Sequence, residues 1–139
     1  MKRLKIAAVC AASLLLTACA DESSVPQEMQ YIKTSVTYTT LCDMYNNPDN
    51  YLGGIYHIVG TLYPSTDDDG NKFYSVYASV PGDADEGIGL ELDWDDFSGI
   101  GDYDTITVEG TLDSEKGTVN GAAVEYLILR CTMVEKRET

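Results

Sequence analysis

The side chains that could do chemistry in this chain are one histidine, His57, twenty-three carboxylates, and the cysteines Cys19, Cys42 and Cys131 that lie beyond the first apolar run. Asp67, Asp69 and Asn71 stand at positions 1, 3 and 5 of a stretch that opens like a calcium loop, with oxygen ligands at the spacing a hard cation wants. Position 6 is Lys72 where that loop needs glycine, and position 12 is Ala78 where it needs a bidentate glutamate. A hairpin turn explains the same Asp-Gly-Asn residues. A second acidic group, Asp93, Asp95, Asp96, Asp102 and Asp104, could hold a cation weakly, and solvation of an acidic surface explains it as well. Calcium is therefore the alternative cofactor reading, and no cofactor the main one. No Ser or Cys motif surrounds His57, no carboxylate pair stands out among the acids, and no Gly-x-x-x-x-Gly-Lys cradle is present, so the sequence predicts a protein that is not an enzyme.

Cysteine chemistry starts at the first twenty residues. Met1 to Lys5 is cationic, Ile6 to Leu16 is apolar, and Leu16-Thr17-Ala18-Cys19 closes the run. The run is shorter than the roughly 20 residues that span a bilayer, and it has the order of an export signal. Leu-Thr-Ala-Cys resembles the lipobox of bacterial lipoproteins. That resemblance implies cleavage before Cys19 and lipids on Cys19, hence a chain anchored in the cell membrane or outer membrane and facing away from the cytoplasm. Two or three acyl chains suffice for stable anchoring. Cys42 and Cys131 then remain. They can form one bridge, worth about 4–5 kcal/mol in the chain-entropy model, or stay as two buried thiols.

Removing residues 1–18 takes away Lys2, Arg3 and Lys5 and moves the formal charge from −14 to −17. Phosphate backbones are bound by Lys and Arg, and few remain, so no nucleic-acid partner is expected. The predicted division is a signal peptide over 1–18, the lipidated Cys19 and a polar tether over 19–34, and one domain over 35–139.

Within that domain Tyr38, Leu41, Cys42 and Tyr45 have the spacing of one helical face. Ser35 or Thr37 is the candidate N-cap, and Asn46-Asn47-Pro48 the stop. Five strands follow, at about 55–63, 72–80, 87–93, 105–112 and 122–134, each with apolar residues at every second position. Asp113 to Asn120 reads as a turn. Leu127, Leu129, Cys131 and Met133 share the inner face of the last strand.

Ile58-Val59-Gly60-Thr61-Leu62 returns as Val108-Glu109-Gly110-Thr111-Leu112. Glycine at the same place in two strands marks matched bends, which a small barrel needs at its corners. This pattern resembles strands 1 and 4 of the oligonucleotide/oligosaccharide-binding (OB) fold. With Tyr51-Leu52-Gly53 and Gly89-Leu90-Glu91-Leu92 the chain is similar to small exported lipoproteins of that fold. Many of those carry adjacent cysteines before the third strand, where this chain reads Gly82-Asp83-Ala84-Asp85-Glu86-Gly87. The expected fold is thus all-β with one short helix, a five-stranded OB-like Greek-key barrel preceded by an N-terminal helix that plugs it.

The fold's usual ligand face is the outer surface of its first three strands. On the strand assignments above that surface carries His57, Val59, Thr61, Tyr63, Phe73, Tyr77, Glu91 and Asp93. Rings beside carboxylates suit a peptide, a glycan or a cationic group, and ten tyrosines favour an interaction surface over an ordinary solvated sheet. The function read from sequence is a lipid-anchored, non-enzymatic module that binds a peptide, a glycan or an envelope protein, with divalent-cation binding as the alternative.

Overall fold

The computed structural model describes residues 28–138. The signal peptide, Cys19 and most of the tether lie outside the described residues.

Five long strands close on themselves. β2 (Ile55–Thr66), β3 (Lys72–Val80), β4 (Asp83–Asp93), β5 (Thr105–Val119) and β6 (Ala122–Lys136) pair in the order β2-β3-β4-β6-β5, and β5 returns to β2. Among these five strands every pairing is antiparallel except β4 with β6, which is parallel and three residues long. Closure in this order, with the third and fifth barrel strands parallel, is the OB topology, as expected from the paired glycine motifs.

Alternation does the folding. Tyr56, Ile58, Leu62, Val76, Leu90, Leu92, Ile106, Val108, Leu112 and Leu129 fill the interior. Gly60 and Gly110 sit where strands cross too closely for a side chain. A Cβ on Gly60 would meet the Tyr77 carbonyl oxygen at 2.7 Å, and one on Gly110 would meet backbone atoms of Arg130 and Cys131 at 2.8 Å. Gly110 also marks a shift in the β5–β6 register. That bulge leaves Thr132 without a partner and reverses the alternation of β6, so Val134, not Met133, is buried beside Val108.

Helix α1 (Thr37–Asn46) precedes the barrel and buries Leu41 and Met44 completely in the same core. The buried face is Thr37, Leu41 and Met44, rotated from the predicted one; Tyr45 is exposed and Cys42 only half-buried. Val36, which offers no side-chain cap, precedes the helix, and the Thr37 hydroxyl instead donates to the Lys33 carbonyl at 3.1 Å. At its end Asp43 accepts from Asn47 Nδ2 at 2.7 Å and from the Tyr51 hydroxyl, and this carboxylate pushes the Tyr51 phenol up to about 12. The segment joining β4 to β5, predicted as an acidic link, packs Trp94, Phe97 and Ile100 against the core.

Two further corrections concern the ends. A short strand, β1 (Met29–Tyr31), lies in the stretch assigned to the tether and pairs parallel with the start of β2. Cys42 and Cys131 are both free thiols, not a disulfide. Cys42 lies beside Tyr38, which also feels Glu86, whereas Cys131 lies beside Asp93. Glu86 and Asp93 are seven residues apart along β4, roughly 23 Å of strand at about 3.3 Å per residue, and a bridge needs Cα atoms within about 7 Å. Burial, with the Asp93 charge, pushes the Cys131 thiol up to about 12, so it stays protonated and unreactive at neutral pH. A reductant should therefore leave the unfolding midpoint unchanged, and a thiol reagent added to the unfolded chain should titrate both Cys42 and Cys131. A midpoint that falls on reduction would show a bridge.

Candidate binding groove

Strand register puts most of the predicted ligand face together. Tyr63, Ser75 and Glu91 form one cross-strand row on the outside of β2, β3 and β4, Thr61, Tyr77 and Gly89 form the next, and Phe73 lies opposite Ser65. His57 stands apart from them. It precedes the bend at Gly60, faces Glu109 across the β2–β5 pairing with Nδ1 2.7 Å from Oε2, and is covered by the Tyr31 ring at 4.7 Å. Those two neighbours occupy the imidazole, and the ligand face does not include it.

The tyrosines of the face largely serve one another. The Tyr63 and Tyr77 rings stack with centroids 4.6 Å apart, and Tyr103 meets Tyr63 edge-on at 5.6 Å. Tyr77 lies over β4 where that strand has no side chains: a Cβ on Gly87 would come within 2.5 Å of the Tyr77 ring. Gly87 and Gly89 thus form the seat of a ring, which covers backbone that would otherwise be bare.

A concave site lies beside this stack. Its floor is Ser75, Gly89 and Glu91, one wall is Asp67 from the β2–β3 turn and Phe73 from the start of β3, and the other is Val119, Val124 and Tyr126; the groove holds about 530 Å³. The second wall is the outer part of β5 and β6, a two-stranded arm reaching past the barrel. Asn120 and Gly121 have φ of 52° and 81°, the two left-handed residues of a tight hairpin turn, so β5 and β6 remain paired to Val119 and Ala122. The predicted turn at Asp113 to Asn120 is therefore strand down to its last residue. Asn-Gly between Val119 and Ala122 is the signal that could have revealed it.

Local contacts fix the arm. The Tyr126 ring lies against Gly117, where a Cβ would be 3.1 Å from it, and its hydroxyl donates to Glu115 at 3.1 Å. At the root of the arm Arg130 reaches Asp93 at 3.0 Å, Asp113 at 3.1 Å and Glu115 at 2.5 Å. Arg130 holds Glu115 below the usual carboxylate range, and the Ser114 amide followed by Arg130 does the same for Asp113. At the near end of the groove the Tyr45 hydroxyl donates to the Gly89 carbonyl at 2.7 Å, which ties α1 to the free side of β4.

Glu91 is the unusual member. Among the described residues no hydrogen bond or ion pair engages its carboxylate, and Arg130 on the neighbouring β6 is taken by three other acids. Burial, and after it the charges of Glu115, Asp93 and Asp67, push its carboxyl above the ordinary 4.5. An acid whose folded pKa is raised stabilises the fold below its unfolded value and loses that contribution as pH rises through the folded one. Glu91→Gln should accordingly raise the melting midpoint at pH 7 and leave it unchanged at pH 3. An equal effect at both pH values would show that charge is not the cause.

The predicted cation residues have other partners. Asp67 Oδ1 accepts from the backbone N–H of Asp69 at 2.9 Å and of Asn71 at 2.8 Å, so this carboxylate closes the β2–β3 turn. Asp96 accepts from the Ser98 N–H, Asp102 from Tyr74 and Lys72, and Asp104 from the Gly101 N–H. Among the described residues no group of three or more His, Cys, Asp or Glu side chains is arranged to hold a metal ion.

No family model matches the sequence, and no curated protein matches it. Among solved structures the chain is similar to the small single-stranded DNA-binding protein from Streptomyces coelicolor, with 11% identity and a TM-score of 0.40 over 61% of this chain and 94% of that one. The exclusion of nucleic acid drawn from net charge does not stand: that neighbour is named for binding single-stranded DNA, and the acidity of a whole chain does not decide the charge at one local surface.

Proposed function

We propose that the chain is a non-enzymatic binding module, held at a membrane by lipids on Cys19, that grips an extended segment of a peptide or glycan in the groove between its two hairpin arms. The observation that carries this reading is the groove itself. A concave site with aromatic and aliphatic walls and a few polar groups on its floor is the usual form of a binding site, and here the wall at Val119, Val124 and Tyr126 is built by a part of β5 and β6 that the barrel core does not require. Membrane attachment rests on the cationic start, the apolar run and Leu16-Thr17-Ala18-Cys19. No helix among the described residues is long and apolar enough to cross a bilayer.

Backbone amide NMR of the isotope-labelled protein, titrated with short peptides and with glycan fragments of the cell envelope, tests the groove. Shifts gathered on Phe73, Ser75, Gly89, Glu91, Val124 and Tyr126 support it. Shifts gathered around Tyr63 and Tyr103 would move the site to the tyrosine stack. Anchoring is tested separately by feeding cells a tagged fatty acid. The wild-type chain should carry the label and sediment with membranes, and Cys19→Ser should lose both properties together. A labelled Cys19→Ser chain would refute lipidation at that residue.

A further inference from the structure

The groove coincides with a gap in the backbone pairing of the barrel wall. On the side facing β4, β6 is bonded only at Ile128, Leu129 and Arg130, so residues 122–127 pair with β5 alone. The corresponding edge of β4 is met by the Tyr45 hydroxyl at Gly89 instead of by a strand. An open strand edge beside a groove offers alternating N–H and C=O groups, whose repeat an extended peptide matches and the hydroxyls of a glycan do not share.

Charge narrows the choice further. The groove lining contains Asp67 and Glu91 and neither Lys nor Arg. Asp67 is occupied by its own turn, which leaves Glu91 on the floor as a carboxylate without a partner, with Phe73 on one wall and Tyr126 on the other. A half-buried carboxylate in a groove walled by two aromatic rings is complementary to an ammonium or guanidinium group, which can gain an ion pair and a cation–π contact together.

We infer that the groove takes an extended peptide carrying lysine or arginine, laid along the open edge of β6 with its cationic side chain on Glu91. The inference rests on the groove reading above and adds to it the chemistry of the occupant. Binding supplies the partner that the fold denies Glu91, and the aliphatic stem of the bound side chain covers Val124 and the exposed Val119.

The test uses fluorescence anisotropy with the full chain in neutral detergent at physiological salt. The probe is a labelled peptide of alternating valine and lysine, compared with the same peptide carrying glutamine for lysine. Unlabelled oligo-dT and a chitin-derived oligosaccharide serve as competitors. The lysine peptide should bind saturably and the glutamine peptide about tenfold more weakly or less, as expected for loss of one charge-assisted pair. Glu91→Gln should weaken the lysine peptide about tenfold, whereas Glu135→Gln, an equal change of net charge on an exposed part of β6 outside the groove, should leave it unchanged. Equal losses in the two variants, no preference for lysine over glutamine, or displacement by oligo-dT or the oligosaccharide would overturn the inference. A chain with its arm shortened separates the two levels. If that chain loses binding while Glu91→Gln does not, the groove stands and its cationic occupant falls. If it binds every probe as well as the wild type, both fall.

Discussion

Gly110→Ala should melt well below the wild type, by of the order of 5–20 °C. The added methyl has nowhere to go. The atoms it meets are the carbonyl oxygen and carbon of Arg130 and the Cα of Cys131, all backbone, and they belong to the strand that carries the β6 bulge. A side chain can rotate away from such a contact, but backbone in a paired strand can retreat only by breaking its ladder. Overpacking of this kind costs about 1–3 kcal/mol, and a domain near 100 residues loses about 4–8 °C per kcal/mol. The same residue stands opposite Tyr56 on β2, so a displaced β5 loosens both of its pairings. Gly101→Ala is the control. Its Cβ would meet nothing nearer than 3.5 Å, and its φ is not positive. Relief of unfolded-chain entropy there should leave stability unchanged or raise it by about 0.4–1 kcal/mol. Thermal unfolding followed by circular dichroism reads both, and similar midpoints for the two variants would show that the strand crossing at Gly110 is not tight.

The second large effect is functional. Ser114 and Leu127 are direct partners across β5 and β6, so residues 115–126 can be replaced by Asn-Gly without shifting the register below them. Leu112, Leu127 and Leu129 stay in place, and the barrel should remain folded with the same closed pairing. The groove loses Val119, Val124 and Tyr126 and becomes a flat face. Binding of the lysine peptide should fall below detection, at least a hundredfold, since the aromatic wall and the β6 edge disappear together. Anisotropy measures the loss and the circular dichroism melt confirms the fold. Undiminished binding by a folded, armless barrel would place the ligand elsewhere.

The barrel was legible in the sequence because each of its strands has one buried face. Ile58, Leu62, Val108 and Leu112 alternate with polar residues, and Gly60 and Gly110 mark the bends, so order, register and closure all leave a trace. The arm has no buried face. From Ser114 to Glu125 the ribbon is solvated on both sides and its composition is that of a loop, so periodicity is silent and only Asn120-Gly121 records the hairpin. Half of the groove lining was therefore visible: Phe73 and Glu91 from strand alternation, but not Val119, Val124 or Tyr126. His57 was misplaced for a different reason. Alternation reports which side of a strand a residue occupies and says nothing of how far the strand has turned around the barrel by that point, and β2 turns at Gly60. Cys42 was displaced by the choice of helical phase, since Thr37 and Met44 fit the inner stripe as well as Tyr38 and Tyr45 do. The predicted bridge fell with that phase.

The pairing of β1 with β2 sets a distance as well as a register. Met29 is held opposite Ile55, and the Ile32 N–H donates to the His57 carbonyl at 3.0 Å, so the folded body begins by residue 29. With lipids on Cys19, residues 19–28 are the whole leash, and a chain covers at most about 3.3–3.6 Å per residue, roughly 35 Å in all. The proposed anchor would thus hold the barrel in a shell about one domain diameter deep above the bilayer, within reach of partners that come down to the membrane.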